Sequence, residues 1–348
     1  MRLLLLVNGP GELYSWAVPL YKYLEKRAWK VFLKLLPCQF SSGLEELVAR
    51  EEGIDILRDG ENYEIALQLG GDAFWGWREK RKRKIPVLRY GFGLGGFFSY
   101  AYDAYLFPHH RLKVAFKKRK KAVVVGSLSS DKVRYLLPRE AARRKLGIDK
   151  EFLLGIFPGS RVPIWRRASH FLNELVKFLP RDIAYFVGRS PFIPRDEPSF
   201  LPEASPELLL SASDLLLTLP GTNTLEASAL GTPMLVVAPF QFIDLVPVSG
   251  VVGFASSFPL LGKRIKYLVL NASVVKNRFL SWPNRLLDKP LVPEMYGNIG
   301  PKDIARAIVR IMEDEPYREM MREKLPKIVG GPGASWRIEE VLRRSLLS

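Results

Sequence analysis

The chain holds one cysteine, Cys38, among 348 residues. That excludes an intramolecular disulfide and a cysteine metal cluster. Histidine is nearly as scarce, and His109, His110 and His170 lack the spacing of a zinc site. No apolar run reaches the roughly 20 residues of a membrane span. Met1-Arg-Leu-Leu-Leu-Leu-Val7 is too short for a secretory signal. It reads instead as a first buried strand closed by Asn8-Gly-Pro-Gly11, and a cytoplasmic protein is expected. Internal repeats and low-complexity linkers are absent from the sequence.

Charge is plentiful and lopsided. The net charge is +17, and residues 1–150 carry 29 basic against 16 acidic side chains, leaving a net +13 there. The excess lies in 78–84, 111–121 and 139–150. Such asymmetry points to an anionic partner for the first half, either an anionic bilayer or nucleic acid. A solvated basic surface is the bland alternative. Between two of the clusters runs Tyr90-Gly-Phe-Gly-Leu-Gly-Gly-Phe-Phe-Ser-Tyr-Ala-Tyr102. Aromatic rings beside a polybasic patch suit an interfacial membrane contact. The glycines Gly91, Gly93, Gly95 and Gly96 equally suit a buried loop. No nucleic-acid module accompanies them, so no nucleic-acid partner is expected.

Two turns carry the chemistry. Asp214-Leu-Leu-Leu-Thr-Leu-Pro-Gly-Thr-Asn-Thr-Leu-Glu226 reads as a buried strand, a tight turn and a helix start. Gly221, Thr222, Asn223 and Thr224 lie where helix N–H groups lack partners and the helix dipole is positive, which suits a diphosphate. Glu226, one turn on, could hold sugar or ribose hydroxyls. Phe152–Phe157 is a second apolar run, ending in Pro158-Gly159-Ser160-Arg161. Arginine makes two-pronged, charge-assisted bonds to phosphate. Neither turn has the G-x-G-x-x-G or Walker pattern, which disfavours NAD and ATP.

Around these turns, strands and helices alternate. Arg2–Val7, Lys30–Leu36, Ile65–Leu69, Pro86–Tyr90, Ala104–Phe107 and Ala122–Val125 read as strands of one parallel sheet. Phe152–Phe157, Ile183–Val187, Leu215–Leu219 and Met234–Val237 start the pattern again. Leu13–Arg27 and Ala168–Phe178 read as helices between them. The basic stretch 139–150 marks the boundary. The expectation is an α/β protein with two Rossmann-like domains facing a cleft: 1–147, and 148–330.

At this point the motifs resemble a family, the lipid-A-disaccharide synthases and the group related to them. Three blocks carry the resemblance: Pro158-Gly-Ser-Arg161; Pro220-Gly-Thr-Asn-Thr-Leu-Glu-Ala-Ser-Ala-Leu-Gly-Thr-Pro-Met-Leu-Val-Val237; and Ser281-Trp-Pro-Asn-Arg-Leu-Leu287 with Val292-Pro-Glu-Met295. The resemblance implies the GT-B architecture, with the first domain completed by the C-terminal helix 334–348. It implies an inverting, metal-independent transfer from a UDP-sugar, of N-acetylglucosamine type, to a lipid-linked acceptor. No separate cofactor is implied, and the site would be peripheral on the inner face of the cytoplasmic membrane. Exchange of the C-terminal segment within a homodimer is compatible with it. Gly159, Ser160, Arg161, Gly221, Thr222, Asn223 and Thr224 are then diphosphate contacts, Glu226 a ribose contact and Asn284 a donor-site residue. Asp72 or Glu12 is the expected base, with His109 and His110 weaker candidates.

The chain departs from the family at Asn8-Gly-Pro-Gly-Glu-Leu13, which looks closer to the related group. It departs again at Pro163-Ile-Trp165, and at Asp72-Ala-Phe-Trp75, where tryptophan replaces a second aspartate. A UDP-sugar epimerase on the same fold, or a non-catalytic nucleotide-sugar-binding protein, are the alternatives.

Overall fold

A computed structural model describes residues 1–38, 41–93, 97–116, 121–245 and 279–347. Gly95 and Gly96, and the middle of the basic run 111–121, lie outside them. The chain divides into two compact units: Met1–Arg134 with Val329–Ser348, and Tyr135–Ile328.

The first unit is built on seven parallel strands: β1 (Arg2–Val7), β2 (Lys30–Leu35), β3 (Asp55–Ile56), β4 (Ile65–Leu69), β5 (Val87–Tyr90), β6 (Ala104–Phe107) and β7 (Ala122–Val124). Their order is β3-β2-β1-β4-β5-β6-β7. Leu3, Leu4, Leu5 and Leu6 are fully buried, as a central parallel strand covered on both faces requires. The second unit has β8 (Phe152–Phe157), β9 (Ile183–Gly188), β10 (Glu203–Ala204), β11 (Leu215–Thr218), β12 (Met234–Pro239) and β13 (Glu294–Gly297), in the order β10-β9-β8-β11-β12-β13. Strand order therefore reverses between β1 and β4, and again between β8 and β11. In such sheets, ligands bind outside the carboxyl ends of the strands at the reversal.

Several elements differ from the sequence reading. β3, β10 and β13 are too short to show as apolar runs. The helix Val162–Val176 begins directly after Arg161, six residues earlier than the apolar spacing suggests. Pro163 sits in its first turn, where a missing N–H costs nothing. The first crossover helix starts at Pro10 and contains a π-helical stretch, Leu13–Ala17. Residues Arg139–Lys145 form a helix of the second unit, so the units divide at 134/135 rather than at 147/148. Arg139 and Arg143 both donate to the Asp214 carboxylate at the head of β11, Arg143 at 2.8 Å.

The C-terminal helix Ala334–Leu347 packs in the first unit. The Asp131 carboxylate accepts from the N–H groups of Gly333 (2.5 Å), Ala334 (3.2 Å) and Ser335 (2.6 Å) at its start. Farther along, the Trp29 indole donates to Glu339 at 3.1 Å.

Candidate functional site

In the second unit the two phosphate-type turns lie side by side. Phe157 and Thr218 are register partners at the ends of β8 and β11, so Pro158 and Leu219 leave the sheet together. Gly159 has φ +107, a conformation that favours glycine, and a Cβ there would lie 3.5 Å from Leu219 Cδ1. Arg161 then opens the helix Val162–Val176 from an extended conformation. The second turn leads into the helix Asn223–Leu230. Gly221, Thr222, Asn223, Ser160 and Arg161 are all half-buried. A Cβ at Gly221 would meet no described atom within 4 Å. The first amides of this helix carry the partial positive charge of the helix end.

Two of the residues assigned to the donor, Thr224 and Asn284, make internal hydrogen bonds here. Thr224 is fully buried; its hydroxyl donates to Gly221 O at 2.8 Å and accepts from Trp282 N at 3.3 Å. It ties the turn to the third motif block. Asn284 is also fully buried. Its amide donates to Val292 O and Glu294 Oε1, both at 2.8 Å, and accepts from Leu291 N at 2.9 Å and Val292 N at 2.8 Å. All four hydrogen-bonding positions are used internally, so Asn284 is a lock between segments rather than a ligand contact. Glu226 is 2% exposed on the first turn of its helix.

In the first unit, Val7 and Leu69 are register partners, which brings Asn8–Glu12 against Gly70–Asp72. A Cβ at Gly70 would lie 3.0 Å from Glu12 Cγ, and one at Gly9 would lie 3.3 Å from Glu12 Oε2. The Glu12 carboxylate thus sits between the two turns, just ahead of the π-helical stretch; such stretches recur at functional sites. Asp72 is exposed, and its Oδ1 accepts at 2.8 Å from Phe74 N, the first N–H of the helix Phe74–Arg83. Both expected bases therefore lie at the strand-order reversal.

The sequence reading passed over what supports this turn. Gln68 and Arg89, polar residues inside otherwise apolar strands, are register partners and fully or nearly buried. Gln68 Nε2 donates to Gly70 O (2.7 Å) and Asp72 O (2.8 Å), while Arg89 Nη2 donates to Gly71 O at 2.6 Å. The Tyr102 hydroxyl lies 2.6 Å from Gln68 Oε1 and 2.9 Å from Ala73 O, and its single proton is shared between these two acceptors. Burial holds the Arg89 guanidinium below its ordinary value, against the opposing pull of Tyr102, Asp72 and Tyr105. A lone polar residue within a short buried strand was the available signal.

The helix Phe74–Arg83 is aromatic in its first half and basic in its second. Trp77 packs on Phe98 with ring centroids 4.7 Å apart, Phe74 on Phe98 at 5.5 Å, and Arg81 stands 5.4 Å over Trp77. Phe97 is 86% and Tyr100 57% exposed beside them.

The histidines at the end of β6 stack with centroids 4.1 Å apart. Burial, helped by the charges of His110 and Arg111, pulls His109 from 6.5 down to about 4. The unfolded chain then binds more protons than the folded one between these values. Stability is full above about 6.5 and is lost as pH falls toward 4. The expected result is a flatter fall of Tm from pH 7 to pH 4 in His109→Asn; an unchanged slope would dismiss the contribution.

The two doubly wound parallel sheets, each with a turn pair at its reversal, define the class as GT-B, made of two Rossmann-like units. Solved structures sharing the fold include a UDP-N-acetylglucosamine 2-epimerase described as putative, from Listeria monocytogenes (TM-score 0.61, 13% identity, 99% of this chain and 96% of that one). An S. aureus MnaA–UDP co-structure (TM-score 0.59, 15%, 99% and 97%) and Acinetobacter baumannii MurG (TM-score 0.55, 15%, 99% and 100%) share it too. No protein-family profile matches. In sequence the chain is similar to lipid-A-disaccharide synthases. It is 27% identical to that of Colwellia psychrerythraea over 264 residues, 70% of this chain and 57% of the relative. It is 25% identical to that of Trichlorobacter lovleyi over 311 residues, 84% and 69%. The matches thus span between about half and two thirds of these relatives' length.

Proposed function

We propose that the protein is an inverting glycosyltransferase that moves a sugar, of N-acetylglucosamine type, from a UDP-sugar to a lipid-linked acceptor at an anionic membrane surface. The observation that carries this reading is the paired turn of the second unit, Pro158–Arg161 beside Gly221–Asn223, in a chain similar to lipid-A-disaccharide synthases. In this reading the second unit holds the donor. Arg161 and the helix start compensate the charge that develops on the departing diphosphate, commonly the largest catalytic term. The first unit activates the acceptor. A carboxylate, Asp72 or Glu12, takes the proton of the acceptor hydroxyl. That oxygen forms the new bond to the anomeric carbon as the carbon–phosphate oxygen bond breaks, and UDP leaves with the electron pair. Such a base contributes about two to four orders of magnitude.

The membrane part of the reading rests on the exposed rings Phe97 and Tyr100, whose neighbour Phe98 packs on Phe74 and Trp77, together with the basic second half of the helix Phe74–Arg83. Among the described residues no helix is long and apolar enough to cross a membrane. In this reading the contact is peripheral, at the inner face, each basic residue adding about 1 kcal/mol. Replacing Phe97 and Tyr100 by serine is expected to lower binding to anionic vesicles and leave UDP affinity intact. Equal loss of both would sink this part.

The test of the whole is calorimetric titration with UDP, UDP-GlcNAc and UDP-glucose, followed by incubation of the preferred donor with a lipid extract. A new glycolipid and released UDP are expected. If no uridine nucleotide binds, the reading falls. Epimerised donor formed without any acceptor would mark the epimerase alternative.

A further inference from the structure

The support beneath the Gly70–Asp72 turn is more elaborate than a turn needs. Gly70 and Gly71 have φ +66 and +67, so the backbone is held left-handed twice in succession. Three carbonyls around it, those of Gly70, Gly71 and Asp72, each receive a donor from a buried side chain in β4 or β5. Gly76 N donates to Gln68 Oε1 at 2.9 Å, which fixes the following helix to the same network. Gly76 leaves the room that the Tyr102 ring fills; a Cβ there would stand 2.4 Å from its hydroxyl oxygen. Arg89, at 3% exposure in the middle of the sheet, is costly to bury where leucine or valine would fill the space. Local choices that lower stability concentrate where function needs them.

We infer that Arg89 is a positioning residue of the reaction: with Gln68 and Tyr102 it holds the Gly70–Asp72 turn so that the Asp72 carboxylate meets the acceptor hydroxyl. The inference rests on the transferase reading with Asp72 as base. Asp72 Oδ1 is engaged by Phe74 N, so Oδ2 is the oxygen presented. Arg89 acts on it through Gly71 and does not itself touch substrate. A displacement of about 1 Å at such a point can lower turnover about a hundredfold.

The test uses the full chain in three variants, Arg89→Met, Arg89→Lys and Tyr102→Phe, with wild type alongside. Three readouts are taken: amide hydrogen exchange at residues 70–76, UDP affinity by calorimetry, and kcat and KM for transfer from the preferred UDP-sugar to a lipid extract. In Arg89→Met, exchange at 70–76 should quicken at least tenfold and kcat fall about a hundredfold, with UDP affinity and donor KM unchanged. Arg89→Lys, which keeps a donor for Gly71 O, should recover most of the rate. Tyr102→Phe should lose roughly tenfold in the same direction. Wild-type kcat in Arg89→Met, or unaltered exchange at 70–76, overturns the inference alone. A wild-type protein that binds UDP but forms no glycolipid overturns the transferase reading, and this inference with it.

Discussion

Arg161→Ala is expected to weaken UDP binding by about ten- to a hundredfold, which corresponds to the roughly 1.5–3 kcal/mol of a charge-assisted hydrogen bond. Arg161 occupies the one position where the first turn hands over to a helix, and the second turn leaves the sheet beside it. A nucleoside diphosphate bound at Gly221–Asn223 would bring its charge to the same edge. The Arg161 side chain makes no capping hydrogen bond to its own helix. Arg161→Lys should recover only part of the affinity, because an ammonium cannot make the two-pronged contact. Titration of both variants, with Tm measured in parallel, checks this. Wild-type affinity in the alanine variant would move the diphosphate elsewhere.

Asn284→Ala should act on stability instead. The substitution strands two N–H groups, a carbonyl and one contact of the Glu294 carboxylate inside the second unit. Unsatisfied buried groups cost about 1–3 kcal/mol each, and partial relaxation brings the expected total to about 3–5 kcal/mol. For a unit of this size the Tm should fall on the order of 10 °C. Asn284→Asp should do no better, since it sets a second carboxylate beside Glu294. Thermal unfolding checks the size of the loss, and calorimetry at a temperature where the variant is folded checks donor binding. An unchanged Tm with lost UDP-sugar affinity would return Asn284 to the donor site.

The contrast between these two residues shows what the chain makes legible. Arg161 stands out because a turn motif between an apolar run and a helix identifies both its place and its chemistry. The alternation that built both sheets is equally plain, as the four successive leucines of β1 illustrate. Asn284 and Thr224 mislead because a polar residue in a motif looks the same whether it faces a ligand or its own backbone. Only the positions of Val292, Glu294 and Trp282 decide, and these come from outside the motif's own helix. Gln68, Arg89 and Tyr102 escape notice for a related reason. They lie on different strands and a loop, so their convergence under Gly70–Asp72 is a property of register, not of spacing. The helix Arg139–Lys145 is hidden by its charge: Arg139 and Arg143 face Asp214 across more than 70 residues of chain.

The return of Val329–Ser348 to the first unit makes that unit discontinuous, with the second unit inserted as one unbroken stretch. During synthesis Asp131 emerges about 200 residues before the backbone amides it will accept from. The inserted unit has all its parts as soon as Ile328 leaves the ribosome. The unit that begins first must wait, with Trp29 lacking Glu339, until the helix Ala334–Leu347 arrives. The part of this chain made first is therefore the last to have all its residues in hand.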